Sequence, residues 1–157
     1  MSPFPRRALL PLGLALCGRP VLAAPPLAVA SFSILGDLVR QVAGQGVTLR
    51  VLAGPESDPH LFQPRPSDAL ALQGAALVLR NGLGFEPWLD RLLEAAGPRG
   101  PVVTASEGIT PIEVGGVPDP HAWQDVRNAI AYTERIAAGL AAALPAGAAA
   151  WRDGAAA

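Results

Sequence analysis

Lysine is absent from this sequence, and cysteine is nearly so. All twelve basic residues are arginines, and the one cysteine, Cys17, lies close to the amino terminus. Beyond residue 24 the chain therefore cannot form an internal disulfide, even in an oxidising compartment. The same part carries nine arginines against thirteen acidic residues, a formal charge of −4. With no basic patch, the sequence argues against nucleic acid or an anionic surface as a partner.

The sequence also lacks an apolar run of the roughly 20 residues needed to span a bilayer. Its longest amino-terminal run, residues 8–16, follows Arg6 and Arg7 and precedes small residues at Ala23 and Ala24. This order predicts a secretory signal peptide over residues 1–24, cleaved after Ala23 or Ala24, and export to the periplasm. A lipoprotein signal is not predicted, because Leu16 stands where a small residue should precede the cysteine.

The rest of the chain alternates short β-rich runs with helical periodicity. The predicted strands are 27–31, 47–52, 76–79 and 101–104, and the predicted helices are 34–42, 68–73, 85–96, 125–144 and 146–157. Alternation of this kind predicts an α/β fold, a parallel four-stranded sheet with helices on both faces. In such sheets ligands bind at the carboxyl ends of the strands.

The sequence has only two histidines, and both stand in the same local pattern. The pattern is Asp-Pro-His, any residue, an aromatic residue and then Gln, and it covers residues 58–63 and 119–124. An ordinary loop has no reason to require histidine twice in this setting. Because two neutral imidazoles suit zinc, iron or copper, and also manganese when carboxylates complete the shell, we predict that His60 and His121 are metal ligands.

The neighbours of each histidine have physical roles in such a site. Proline fixes its own φ and biases the preceding residue towards an extended conformation, which stiffens the loop. A ligating imidazole normally donates its other ring N–H to a carboxylate or carbonyl group. Asp58 and Asp119 are placed to accept that bond, although either could instead cap a turn. Phe62 and Trp123 are expected to shield the site from water.

Other chemistry finds less support in the sequence. Residues 81–84, Asn-Gly-Leu-Gly, invite a dinucleotide-binding interpretation, but Pro87 stands at the third glycine position, so we predict a tight turn. There is no nucleophile elbow, and we predict no enzyme activity.

Two alternative functions stay open. One is a small metal-dependent hydrolase, which would need a third ligand and a general base such as Glu56 or Glu113. The other is a surface adhesion or interaction role.

Taken together, several segments resemble the zinc/manganese class of ABC-transporter solute-binding proteins. They are Asp58-Pro59-His60, residues 81–89, Asp119-Pro120-His121-Ala122-Trp123 and the opening residues 29–37. The resemblance implies two similar α/β lobes joined by a long helix, with the metal ion between them. It implies two histidine ligands from the amino-terminal lobe, matching His60 and His121, and the remaining ligands from the other lobe. It also implies delivery of zinc or manganese to an ABC permease and ATPase complex in the inner membrane.

The resemblance sets the expected domain organisation. We assign residues 1–24 to the signal peptide, 25–144 to the amino-terminal metal-binding lobe and 145–157 to the start of the interlobe helix. Because the sequence ends at Ala157, the chain is expected to be a truncated product without the second lobe and its ligands. The His-rich loop that many zinc-specific members carry before the second Asp-Pro-His is also lacking, so the sequence does not favour zinc over manganese.

Overall fold

A computed structural model of the protein describes residues 24–157, so the predicted signal peptide lies outside the described residues except for Ala24. The strands are β1 (Leu27–Phe32), β2 (Thr48–Ala53), β3 (Leu77–Arg80), β4 (Val102–Thr104), β5 (Glu113–Val114) and β6 (Val117–Pro118). The α-helices are α1 (Ser33–Ala43), α2 (Pro66–Gly74), α3 (Pro87–Ala96), α4 (Val126–Ala143) and α5 (Ala148–Ala156). Short 3-10 turns occupy Ala122–Gln124 and Pro145–Gly147.

Strands β1 to β4 form one parallel sheet in the order β2-β1-β3-β4. Central parallel strands are covered on both faces and therefore consist of almost uninterrupted apolar residues. Ala28 to Phe32 in β1 and Leu77 to Leu79 in β3 are all buried, which agrees with this rule. The predicted α/β fold with a parallel four-stranded sheet is confirmed.

Helices cover both faces of the sheet. On one face α1, α4 and α5 bury a stripe of large side chains, including Leu35, Val39, Ile136 and Leu140. On the other face Leu72 of α2 and Trp88 and Leu89 of α3 pack on Val29, Leu52 and Val78. The helices therefore bury apolar side chains on both faces of the sheet, and α5 packs on α1 and α4, as a stable layered domain requires. None of the helices between residues 24 and 157 has the length and apolarity needed to cross a membrane.

The structure differs from the sequence prediction in three short regions. Helix α2 begins at Pro66, not at residue 68. Helix α3 begins at Pro87, not at residue 85, because residues 81–86 form a hydrogen-bonded turn after β3. Strands β5 and β6, which were not predicted, pair antiparallel around Gly115 and Gly116. Both glycines have positive φ, 63° and 80°, as a tight hairpin turn requires.

Tyr132 joins helix α4 to the carboxyl end of β3. The side chain is fully buried, and its hydroxyl donates a 2.9 Å hydrogen bond to Oδ1 of Asn81. Burial raises the pKa of Tyr132 to about 12. The tyrosine is therefore a buried neutral group at the edge of the sheet where the loops meet.

This burial predicts a loss of stability in alkali. Above a pH of about 10 the unfolded chain loses the phenolic proton, while the folded chain retains it up to a pH of about 12. The free energy of unfolding should therefore fall as the pH rises through this window. Urea unfolding should show that slope in the wild type, and Tyr132→Phe should flatten it.

The alkaline titration is simple to interpret, because the sequence contains one tyrosine and no lysine. Phenolate absorbance of the folded protein gives an independent titration of the same group. Equal slopes in the wild type and Tyr132→Phe would contradict the prediction.

Candidate metal centre

The two histidine loops meet beyond the carboxyl ends of the strands. His60 follows β2, His121 lies just before α4, and their Nε2 atoms are 3.2 Å apart. The ring centroids are 5.2 Å apart and the ring planes are inclined by 62°. Both side chains are half-buried. The structure thus brings together the two predicted site residues, which are 61 positions apart in the chain.

The separation of the two nitrogens suits a shared cation. Zinc bonds an imidazole nitrogen at about 2.0–2.1 Å in a tetrahedral shell, which places two such nitrogens about 3.3 Å apart. The observed 3.2 Å lies close to that value. The same distance also permits one ring N–H to donate to the other ring when no ion is bound. In either case the two Nε2 atoms face a common point.

Asp119 holds the ring of His121. Its Oδ1 atom lies 2.7 Å from Nδ1 of His121 and accepts a 2.9 Å hydrogen bond from the His121 backbone N–H. These two bonds, the backbone bond first, keep the pKa of the Asp119 carboxyl below its ordinary value. A carboxylate at Nδ1 favours the tautomer that carries its proton there, which leaves the Nε2 lone pair free to bind a metal.

Asp58 does not repeat this arrangement. Its Oδ1 atom accepts a 2.9 Å hydrogen bond from the backbone N–H of His60, so Asp58 caps the turn. The sequence allows each aspartate to accept the ring N–H of its histidine or to cap the turn. Asp119 does both, whereas Asp58 only caps the turn. The duplicated sequence pattern gives the same aspartate cap on the histidine N–H in both loops but two different ring environments.

Aromatic rings surround the histidines. Phe85 meets the ring of His60 edge-on at 4.4 Å and that of His121 at 5.6 Å between centroids. Trp123 lies 5.4 Å from His121 and 4.9 Å from Phe85. Trp123 therefore borders the site as expected. Phe62 does not, because it packs on Trp88 at 4.9 Å.

A buried carboxylate organises the turn that carries Phe85. Glu86 is fully buried, and it accepts hydrogen bonds from the Ser31 hydroxyl and from the backbone N–H groups of Asn81 and Gly82. Gly82 has φ 88°, and a Cβ there would lie 2.5 Å from Thr104 Cγ2, so glycine is required. The sequence predicts a tight turn in this segment but not its position beside the histidines.

The described residues offer few further ligands. Between residues 24 and 157 no group of three or more His, Cys, Asp or Glu side chains is arranged to hold a metal ion. Glu56 and Glu113, the bases that a hydrolase could use, are both exposed side chains. The geometry therefore offers a pair of nitrogen ligands and not a complete shell.

Comparison with known proteins agrees with this geometry. Residues 28–157 match the family model described as "Zinc-uptake complex component A periplasmic". The chain is 39% identical over 109 residues to the manganese-binding lipoprotein MntA of Halalkalibacterium halodurans, covering 69% of this chain and 36% of that protein. It is 32% identical over 113 residues to the iron-binding protein YfeA of Yersinia pestis, with the same two coverages.

Solved structures show the same similarity. The cadmium-bound periplasmic metal binding protein from Candidatus Liberibacter asiaticus matches with a TM-score of 0.78 and 34% identity, over 83% of this chain and 50% of that one. The chain thus spans about half the length of the solved structure and about a third of the curated relatives. The resemblance drawn from the motifs is confirmed: the chain belongs to the family of periplasmic zinc-uptake component A proteins.

Proposed function

We propose that this chain binds a divalent transition metal ion, zinc or manganese, through the Nε2 atoms of His60 and His121. The observation that carries the proposal is the approach of these two atoms to 3.2 Å. The ion is cargo, held reversibly through neutral nitrogens. Similarity to relatives named for manganese and iron, and to a cadmium-bound structure, supports the same chemical class of ligand.

In the cell this binding would serve metal uptake. The chain would act in the periplasm, exported by a signal peptide over residues 1–24, as the solute-binding component of an ABC transporter. Its partners would be the metal ion and a permease and ATPase complex in the inner membrane. Membership of a periplasmic uptake family supports this role. The mechanism is capture and release of the ion, without a chemical step.

Two imidazoles do not complete the shell of a transition metal. Structural zinc sites normally have four protein ligands, and residues 24–157 place no third His, Cys, Asp or Glu side chain in a cluster with the pair. Further ligands must therefore come from water or from protein groups outside these residues. We expect the chain by itself to bind zinc weakly, with an affinity that depends on both histidines.

Titration calorimetry with zinc tests the two ligands. His60→Ala and His121→Ala should each weaken binding by more than the roughly 10–100-fold typical of losing an outer-shell partner, because each removes a ligand. Gln63→Ala, at an exposed position three residues after His60, should leave zinc affinity unchanged. Tight, stoichiometric zinc binding that survives both histidine substitutions would refute the proposal.

The two aspartates should differ in their effect on zinc affinity. Asp119→Asn removes the charge that holds Nδ1 of His121, and a loss of about 10–100-fold is expected. Asp58→Asn should have little effect, because an amide oxygen can accept the same bond from the His60 backbone N–H.

Asp125→Asn is a matched control for the aspartate comparison. The Asp125 side chain is 38% exposed, like that of Asp119, and it too accepts from the backbone N–H two residues along the chain. Zinc affinity should not change in this variant. Equal losses in Asp58→Asn and Asp119→Asn would contradict the asymmetry seen in the structure.

A further inference from the structure

The peptide unit between proline and histidine is held at both ends in each loop. In the first loop the carbonyl of Pro59 accepts a 2.7 Å hydrogen bond from Nε1 of Trp88, while the N–H of His60 donates to Asp58 at 2.9 Å. A bond at each end fixes the plane of the peptide. The N–Cα bond of His60, from which its side chain is carried, is thereby held in place as well.

The second loop repeats this arrangement with a different donor. The carbonyl of Pro120 accepts a 2.8 Å hydrogen bond from Nδ2 of Asn81, while the N–H of His121 donates to Asp119 at 2.9 Å. The local pattern Asp-Pro-His supplies the acceptor for each N–H. The donor for each carbonyl comes from elsewhere in the chain, and in both loops it comes from residues 81–88.

From this arrangement we infer that Trp88 and Asn81 are positioning residues, which set the separation of the two histidine nitrogens by holding the preceding proline carbonyls. The inference rests on the proposed role of His60 and His121 as ligands. Both donors lie on one short segment, so a single element holds the two loops relative to each other. Residues outside the ligand set that orient ligands commonly contribute about 10–100-fold to metal affinity.

The two donors in residues 81–88 are themselves held firmly in place. Asn81 is fully buried, and its Oδ1 atom accepts from Tyr132 while its backbone N–H donates to Glu86. Trp88 is 4% exposed in the first turn of α3, where it packs on Phe62. Neither donor can rotate away without breaking contacts inside the protein.

Trp88→Phe tests the inference, because it removes the indole N–H and keeps an aromatic ring. Two measurements are made: zinc affinity by calorimetry, and, in metal-free protein, the nuclear Overhauser effect between the ring protons of His60 and His121. The sequence has only these two histidines, so their signals are easily assigned. We expect zinc affinity to fall about 10-fold or more and the inter-ring effect to weaken.

Trp151→Phe is the matched control. Trp151 is likewise 4% exposed, but it lies in α5 and packs near Gly46. This variant should lose stability without any change in zinc affinity or in the inter-ring effect. A purely structural role for Trp88 would make the two variants behave alike, and that outcome would overturn the inference.

Two further variants cover the remaining outcomes. If Trp88→Phe does not fold, replacing Trp88 with 3-benzothienylalanine keeps the shape of the ring and removes only the N–H. Asn81→Asp keeps the oxygen that accepts from Tyr132 and removes the Nδ2 donor to Pro120 and Gly82, and it should weaken the inter-ring effect in the same way. Unchanged zinc affinity and an unchanged inter-ring effect in these variants would contradict the inference.

The two proposals fail in different ways. If the wild type binds no zinc through its histidines, the proposed function is wrong, yet the inter-ring effect in metal-free protein still reports whether Trp88 positions the pair. If the wild type binds zinc through both histidines and Trp88→Phe binds equally well, only the positioning role is wrong.

Discussion

The buried carboxylate of Glu86 is the interaction on which the arrangement of the loops depends. A carboxylate removed from water is costly unless polar partners replace its hydration. Here the partners are the Ser31 hydroxyl at the end of β1 and two backbone N–H groups of the turn after β3. The group therefore joins the ends of the two central strands. The turn that follows β3 then presents Asn81 and Phe85 to the histidine loops, and it leads directly into α3, which carries Trp88.

The site depends both on local sequence within each histidine loop and on contacts between residues that are far apart in the chain. Each Asp-Pro-His segment caps its own turn, since Asp58 and Asp119 both accept from the N–H two residues along. The turns by themselves would not bring the rings together. Their approach depends on β3 lying beside β1 in the sheet, because that places residues 81–88 within reach of both loops.

The distinction between local signals and long-range contacts also explains which parts of the fold and the site could be predicted from the sequence. The four strands of the parallel sheet, the long helices and the pairing of the two histidines could be predicted, because periodicity and a repeated motif are local signals. The role of Asn81 could not, because its partners Pro120 and Tyr132 are 39 and 51 residues away. The expectation that Phe62 shields the site was wrong for a related reason. Phe62 packs on Trp88 and Phe85 contacts the histidines, because packing between elements decides which aromatic ring lies there. The hairpin of β5 and β6 was missed because two-residue strands carry no periodicity.

The contact between Asp119 and Nδ1 of His121 also affects how the two histidines bond to each other when no ion is present. When neutral His121 carries the proton at Nδ1 that the carboxylate favours, its Nε2 atom can only accept, and in the 3.2 Å contact between the rings His60 is then the donor. The lone pair of one ligand is then covered by the N–H of the other. A cation that bound both Nε2 atoms would replace this hydrogen bond, and His60 would then have to carry its proton at Nδ1, while His121 would keep its tautomer. In the metal-free pair this hydrogen bond covers a lone pair that would bind the ion. The net free energy of binding is then the coordination free energy less the free energy of that hydrogen bond.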